Sequence, residues 1–302
     1  MGKTVITRLA LFAIIAIGAC KSEPKLQDQN TRVSTDTLVT KDAAVSSIHM
    51  CIDKRPFEFN PEEFKSISNR NYGKADTATD KAGNQIIYLD QNPFSEAEKA
   101  IGPRDDTYYW KSGYTIKVQF LYGDSFVRKL VEEVAHKWEA YANIHFNFGN
   151  FADPDITISF DENTGSWSYI GTQSKLYRPS MNYGWLTPET SIEEYNRVVL
   201  HEFGHALGLL HEHQSSISNP IHWNKDMAYW YYYKTNGWKP EEVDKQVFAR
   251  YAYSTIRGTT FDRNSIMLYS IPIELTTDGY STPVNKQLSD SDKEFISKRY
   301  PN

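Results

Sequence analysis

The sequence predicts an α+β domain over residues 106–302, and three observations lead to this fold class. Thr115 to Leu121 alternates apolar and polar residues, which is the period of a half-buried strand. Residues 124–143 instead repeat apolar residues at the period of a helix. Ser191 followed by Glu194 is the capping-box pattern that begins a second long helix. Strands interrupted by two long helices, with a mostly irregular remainder, are typical of α+β folds.

The other elements follow in chain order. Asp124 or Ser125 can cap the first helix, because short polar side chains accept hydrogen bonds from the first free N–H groups. The apolar stripe of this helix is predicted to contain Phe126, Leu130, Val131, Val134, Trp138 and Tyr141. Three more strands are predicted, at Ile144 to Phe148, Asp155 to Phe160 and Met181 to Leu186. No internal repeat is visible along the chain.

The composition excludes several classes of protein. The chain has 302 residues, of which 40% are hydrophobic, so it is long enough to bury a sizeable core. Its net charge of −5 is mild and no block of basic residues stands out, so nucleic acid is not expected as a partner. Only two cysteines occur, Cys20 and Cys51, which excludes a disulfide framework.

Residues 1–20 have the pattern of an export signal. Lys3 and Arg8 precede an apolar run from Leu9 to Ala19, which is too short to span a bilayer. The run ends in Ile17-Gly18-Ala19-Cys20, which resembles a bacterial lipobox. This resemblance implies that lipid on Cys20 attaches an exported lipoprotein to the cell envelope or outer membrane. The alternative is ordinary cleavage near Ala19, which releases a secreted protein.

Two further segments separate this signal from the predicted domain. Residues 21–45 are polar and lack any apolar period, so they are predicted to form a flexible tether. Residues 46–105 contain short apolar clusters between polar stretches. This pattern fits a small pro-segment and equally an N-terminal extension that packs on the main domain.

The most informative motif is H-E-x-x-H-x-x-G-x-x-H, beginning at His201. His201 and His205 lie one helical turn apart, so both imidazoles can bind one metal ion. Glu202 lies beside them, where it can accept a proton from a water molecule. Gly208 permits a positive φ that ends the helix and returns His211 as a third ligand. Three ligands leave one position open, which indicates a catalytic Zn²⁺ site.

This motif is similar to the signature of the metzincin metallopeptidases. Ser265-Ile266-Met267-Leu268-Tyr269 resembles the Met-turn of their astacin branch. The resemblance implies that Met267 forms a hydrophobic floor below the zinc ligands and that Tyr269 stabilises the oxyanion. It also implies a twisted mixed sheet, an active-site helix and a mostly irregular C-terminal subdomain across a substrate cleft. Leu268 replaces the histidine that is usual in astacins.

Other segments extend the resemblance to roughly Asp106 to Pro301. Residues 165–171 and 180–186 are similar to segments that precede the active-site helix in bacterial relatives of astacin. The second implies an edge strand that binds an extended substrate and contains Asn182, Tyr183, Gly184 and Trp185. Glu212 matches a glutamate that receives the mature N-terminus in the family. Leu288 to Asp292 resembles the start of the family's C-terminal helix.

The function implied by the resemblance is zinc-dependent cleavage of extended polypeptides, with Glu202 as the general base. An alternative from another class is a surface adhesin or glycan-binding lipoprotein whose zinc site is inactive. Glu202 and Tyr269 argue against that alternative, because neither is needed merely to hold zinc. Within the enzymes, a matrixin-like peptidase with structural calcium is the second candidate.

Two features leave alternatives open. The aromatic run Tyr229 to Tyr233 fits helix packing and also a sugar-stacking surface, and its position between two predicted helices favours packing. Cys51 fits a thiolate that blocks zinc in a latent enzyme. It lacks the motif that surrounds such a cysteine in matrix metalloproteases, so Met50-Cys51-Ile52 is more simply a buried apolar patch.

Overall fold

The domain contains a six-stranded mixed sheet with the strand order β1-β8-β9-β7-β5-β6. The computed structural model describes residues 51–54, 75–79, 85–89, 100–258 and 260–302, all within a unit that spans residues 45–302. The predicted signal and tether lie outside these residues. The strands are β1 (Cys51–Lys54), β2 (Ala75–Thr79), β3 (Gln85–Leu89), β4 (Gly102–Pro103), β5 (Thr115–Phe120), β6 (His145–Phe148), β7 (Ile156–Ser159), β8 (Ser166–Tyr169), β9 (Met181–Asn182) and β10 (Ile256–Arg257).

Most neighbouring strands of the large sheet are parallel, and only β8 runs against its neighbour β9. β1 joins the far side of β8 in parallel, with Cys51 opposite Ser166 and Lys54 opposite Tyr169. Two small antiparallel pairs, β2 with β3 and β4 with β10, complete the described ladders. Helices accompany the mixed sheet, so the predicted α+β class is confirmed.

The described α-helices are α1 (Ser125–Ala135), α2 (Ile192–Ala206), α3 (Lys225–Asn236), α4 (Pro240–Val243) and α5 (Asp290–Arg299). Asp124 caps α1 by accepting bonds from two backbone N–H groups, as predicted. α1 is shorter than predicted, because the chain tightens into a 3₁₀ turn at residues 136–140. The Glu139 carboxylate in this turn accepts a bond from the backbone N–H of Phe146, which fixes the turn to β6. Helical periodicity does not distinguish the two kinds of turn.

Two residues of the predicted stripe of α1 lie at the surface. Phe126 is 50% exposed and Tyr141 is 41% exposed, so neither belongs to the buried face that the predicted stripe would form. Phe126 lies in the first turn, beyond the edge of the buried face, and Tyr141 follows the 3₁₀ turn. The buried face of α1 is formed by Val127, Val131, Val134 and Ala135.

The start of α2 keeps half of its predicted capping box. Ser191 accepts a bond from the backbone N–H of Glu194. The Glu194 carboxylate does not return this bond to Ser191. It instead accepts bonds from the Trp185 indole at 2.8 Å and from the Arg197 guanidinium at 2.6 Å. A charged partner on the next turn therefore binds the glutamate in place of the backbone.

The prediction that Asn182, Tyr183, Gly184 and Trp185 form the edge of the sheet is wrong. β9 lies inside the sheet, between β7 and β8. The Asn182 amide is buried and bonds to the Ser159 hydroxyl and to the Asp161 carbonyl. The backbone N–H of Tyr183 donates to the Ser159 carbonyl. β9 is therefore not free to pair with a substrate, because it pairs with β7 on one side and with β8 on the other.

Residues just before the predicted domain start at residue 106 are buried. Ala100 and Ile101 are each only 1% exposed. The Ile101 carbonyl accepts a bond from the backbone of Leu210, close to the third predicted ligand, and β4 pairs with β10. Residues 100–105 therefore pack against the predicted domain of residues 106–302. No helix among the described residues is long and apolar enough to cross a membrane.

Candidate active site

The last turns of α2 carry the first two predicted zinc ligands into the interior. His201 is 4% exposed and His205 is fully buried. α2 is held in place along its length, because the Trp138 indole donates to the Leu200 carbonyl and the Trp110 indole donates to the Ala206 carbonyl. The bond to Ala206 gives a partner to a carbonyl of the last helical turn, which has none within the helix.

Gly208 turns the chain after α2, as predicted. Its φ is +100°, a conformation that residues with a Cβ rarely adopt. A Cβ at this position would also lie only 2.6 Å from the ring of Tyr109. The turn brings His211 back toward the helix, and the His211 side chain is fully buried.

The three imidazoles converge through their Nε2 atoms. The Nε2 atom of His211 lies 3.0 Å from that of His201 and 3.1 Å from that of His205. The Nδ1 atoms of His201 and His205 bond to the carbonyls of Ile266 at 2.8 Å and Leu209 at 2.9 Å. Since a carbonyl only accepts, each Nδ1 carries the proton and each Nε2 offers a lone pair.

This arrangement fits a zinc ion. Three buried lone pairs facing one another repel unless a cation lies between them. Burial lowers the pKa of His201 well below its usual range, which keeps the ring neutral as a metal ligand must be. A tetrahedral zinc ion with Zn–N bonds of about 2.0–2.1 Å places its nitrogens roughly 3.3 Å apart, close to the distances here. Among the described residues these histidines are the group of candidate ligands that converge in this way.

Met267 lies against the active-site helix, as the resemblance implies. A Cβ added at Gly204, which lies between the two helical ligands, would be only 2.5 Å from the sulfur of Met267. Met267 is 1% exposed, and its carbonyl accepts a bond from the backbone of Glu212, next to the third ligand. The thioether therefore packs directly below the turn of helix that carries His201 and His205.

Glu202 and Tyr269 lie with the ligands. Glu202 is fully buried and lies on α2 next to His201. Tyr269 is 4% exposed, and its ring centroid is 4.6 Å from that of His211 and 6.3 Å from that of His201. The structure thus places an aromatic hydroxyl-bearing side chain beside the converging imidazoles, where the sequence predicts it.

The comparison with protein families identifies the family and the fold. A family model described as Astacin, a peptidase family, matches residues 104–291. The chain belongs to the astacin family. Zinc is the metal of this family of metallopeptidases, so the predicted cofactor and enzyme class are confirmed at the level of the family.

Individual relatives agree with this assignment. A structure of myroilysin is 40% identical, with a TM-score of 0.64, and covers 67% of this chain and 98% of that chain. A crystal structure of myroilysin is 39% identical, with a TM-score of 0.51, and covers 70% and 94%. Zinc metalloproteinase nas-27 of Caenorhabditis elegans is 33% identical over 86 residues, which is 28% of this chain. The match spans only 18% of the length of that nematode protein.

Asp292 is a residue of this astacin-family site that the sequence analysis did not assign. Its carboxylate is fully buried and accepts bonds from the Ser265 hydroxyl and the Ile266 backbone N–H, at 2.7 and 2.8 Å. The Ile266 carbonyl in turn accepts the bond from His201. Burial raises the pKa of Asp292 to about 6. The sequence shows Asp292 only as part of a helix start, because its partner turn is more than twenty positions away.

Glu212 is also buried beside the site. Burial raises its pKa well above the usual range for a glutamate, and one carboxylate oxygen accepts a bond from the backbone of Asp262 at 2.9 Å. The other oxygen has no hydrogen-bond partner in the described part of the chain. The expectation that Glu212 receives the mature N-terminus remains a prediction.

The aromatic run of this astacin-family chain lies on α3. Tyr231 is 8% exposed and Tyr232 is fully buried, with the Tyr232 ring stacked on Trp238 at 5.4 Å. The favoured packing role is thus confirmed for these two residues. Tyr233 is different, because 61% of it is exposed.

Proposed function

We propose that this protein is a zinc-dependent endopeptidase that hydrolyses peptide bonds of extended polypeptides. The observation that carries the proposal is the convergence of three buried imidazoles, with the buried carboxylate of Glu202 next to His201 on α2. A site that only holds zinc needs no such carboxylate. The residues that bind the ion are His201, His205 and His211.

The side chains of this chain supply the proton transfers. When bound, zinc supplies a Lewis acid that lowers the pKa of a water molecule and polarises a carbonyl oxygen. Glu202 accepts the proton of the attacking water and passes it to the leaving amine. The hydroxyl of Tyr269 donates to the oxyanion that develops on the peptide carbonyl.

The substrate is proposed to lie along β8, since the predicted strand at Asn182 to Trp185 is internal. β8 is an outermost strand of the sheet formed by residues 100–302. Its far side is capable of pairing with one more strand, as its pairing with β1 demonstrates. In this chain Cys51–Lys54 occupies that position, which favours the pro-segment interpretation of residues 46–105.

Glu202→Gln tests the general base. Glutamine keeps the shape of the side chain but cannot accept a proton, so peptide hydrolysis is expected to fall by roughly 10²–10⁴-fold while zinc content stays at about one ion per chain. Tyr269→Phe removes one oxyanion donor and is expected to lower kcat by roughly 10–10³-fold. Steady-state kinetics on a cleavable peptide, with metal analysis in parallel, measures both effects.

Glu193→Gln is the matched control, because it makes the same change at an exposed position of α2. It is expected to keep wild-type turnover. A wild-type protein that binds zinc but hydrolyses no peptide would favour the alternative function, an adhesin or glycan-binding lipoprotein. Turnover of Glu202→Gln at the wild-type rate would rule out the proposed base.

The cellular location is a separate proposal, supported by the sequence of residues 1–20. We infer that lipid on Cys20 anchors the exported protein to the cell envelope, because an apolar run followed by Gly-Ala-Cys precedes a polar stretch. The wild-type protein is then expected to partition into detergent and Cys20→Ser into the aqueous phase. Equal partitioning of the two forms would instead favour a secreted protein.

A further inference from the structure

His213 lies two residues beyond the third zinc ligand, and none of the roles above uses it. The side chain is fully buried. Its ring stacks on that of Tyr269, with a centroid distance of 4.1 Å and an interplanar angle of 27°. The Tyr269 ring also meets His211 edge-on at 4.6 Å and 61°, and the two imidazoles lie 5.2 Å apart. Tyr269, His211 and His213 thus form one cluster of three rings, in which His213 makes the stacked contact with the phenol.

The ring of His213 is itself anchored. Its Nε2 atom lies 2.9 Å from the carbonyl of Gln246, to which it donates a hydrogen bond. Gln246 belongs to a short π-helical turn at residues 244–248. The same turn holds the next residue of the loop, because the Gln214 amide donates to the Lys245 carbonyl at 3.0 Å. A π-turn is a rare element that often occurs at functional sites.

We propose that His213 is a positioning residue for Tyr269, which it holds in the plane where the phenol hydroxyl meets the substrate carbonyl. This inference rests on the proposed oxyanion role of Tyr269. The strength of a hydrogen bond falls steeply when the donor is misaligned, and a misplacement of about 1 Å can cost on the order of 10²-fold in rate. The Tyr269 ring can rotate about two side-chain torsions. A stacked imidazole that is itself hydrogen-bonded to a backbone carbonyl restricts this rotation more than loose apolar packing does.

The backbone of Tyr269 does not replace this restraint. Its carbonyl accepts a bond from the Thr282 hydroxyl at 2.8 Å, which fixes the chain but leaves the side-chain torsions free. His213 is also not a fourth zinc ligand in this arrangement, since its Nε2 is used by Gln246 and the converging group consists of the other three histidines. His213 also makes a tilted contact with the ring of His211 at 5.2 Å, but its stack with Tyr269 is closer, at 4.1 Å, so we assign the action of His213 on the reaction to Tyr269.

A double-mutant cycle tests the proposal. His213→Ala, Tyr269→Phe and the double variant are compared with wild type in kcat, KM, zinc content and melting temperature. His213→Ala is expected to lower kcat by roughly 10–10²-fold, with KM changed less than about threefold and zinc content unchanged. In the Tyr269→Phe background the same change is expected to cause no further loss of kcat, because the hydroxyl that His213 positions is already gone.

Two further variants keep the test decisive if His213→Ala folds poorly. His213→Phe retains an aromatic ring for the stack but loses the bond to Gln246, so a smaller loss of kcat is expected, again absent in the Tyr269→Phe background. Ile217→Ala is the matched control, a buried position four residues along the same segment. It is expected to lower the melting temperature and to change kcat by the same factor in both backgrounds.

The outcomes distinguish a failure of the positioning role of His213 from a failure of the oxyanion role of Tyr269. Equal losses of kcat on changing His213 in the two backgrounds, or no loss in wild type, would overturn the positioning role. Unchanged kcat in Tyr269→Phe would overturn the oxyanion role instead. A crystal structure of zinc-free His213→Ala shows the position of the Tyr269 ring independently of any activity measurement. A displaced Tyr269 ring supports the inference, and a ring in the wild-type position contradicts it.

Discussion

At the scale of single residues, Asp292 shows how far the support of a zinc ligand extends beyond the ligand. Its buried carboxylate bonds to the Ser265 hydroxyl and the Ile266 backbone, and the Ile266 carbonyl fixes the ring of His201. It also accepts the backbone N–H of Ser289, which closes the capping box of α5. One carboxylate thus joins the start of the last helix to the turn below the metal site.

Asp292 gives the protein a predictable pH dependence. Burial raises its folded-state pKa from 3.8 to about 6, so the folded chain holds a proton that the unfolded chain has lost in this range. The free energy of unfolding therefore falls as the pH rises from about 4 to about 6, by an amount on the order of 3 kcal/mol from this group. Asp292→Asn removes this titratable group. As the pH rises from about 4 to about 6, the free energy of unfolding of the variant is therefore expected to increase relative to that of wild type.

Urea denaturation of the two proteins at a series of pH values measures this difference. Asp290→Asn is the matched control, because Asp290 lies on the same helix turn with a fully exposed side chain paired with Lys293. Its pH profile is expected to follow that of wild type. Parallel profiles for Asp292→Asn and wild type would show that the carboxylate titrates near its ordinary value.

At the scale of elements, the sequence predicts the features that depend on residues close to one another in the chain. The convergence of His201, His205 and His211 follows from their spacing along one helix and one turn, and the structure brings the three together as expected. Glu202 lies next to His201 on the same helix. Gly208 was predictable for the same reason, since a positive φ is a property of a single residue. The Met-turn was predictable only because Ser265 to Tyr269 resembles a known motif.

What the sequence did not predict depends on residues far apart in the chain. β8 was missed although Ser166 to Tyr169 alternates polar and apolar residues, because the alternation covers only four residues and both serines are buried instead of facing solvent. Without β8, the next segment was taken as the edge, although Asn182 is paired on both sides. His213 also carries no local signal, since its partner carbonyl at Gln246 is 33 positions away.

At the scale of the whole molecule, the N-terminal region contributes to two different parts of the fold. Residues 100–105 pack against the predicted domain of residues 106–302, since Ile101 is buried and β4 pairs with β10. β1 instead adds to the outer side of β8, the strand proposed to bind substrate. One strand edge cannot pair with β1 and with a substrate at the same time, so residues 51–54 must leave β8 before an extended peptide binds there.

Weakening the β1 ladder is therefore expected to raise the activity of the full-length chain. Ile52→Pro and Asp53→Pro are compared, because neighbouring residues of a strand point their N–H groups to opposite sides and one of the two prolines must remove a ladder bond. Such a bond contributes about 0.5–1.5 kcal/mol, so peptide hydrolysis is expected to rise about 2- to 13-fold in that variant.

Ala78→Pro, placed in β2 of the separate β2–β3 pair, is the control and is expected to leave the rate unchanged. Initial rates on one peptide at equal zinc content measure the effect. Unchanged rates in both β1 variants would mean that Cys51–Lys54 does not gate the substrate strand, and that residues 46–105 form an extension of the domain.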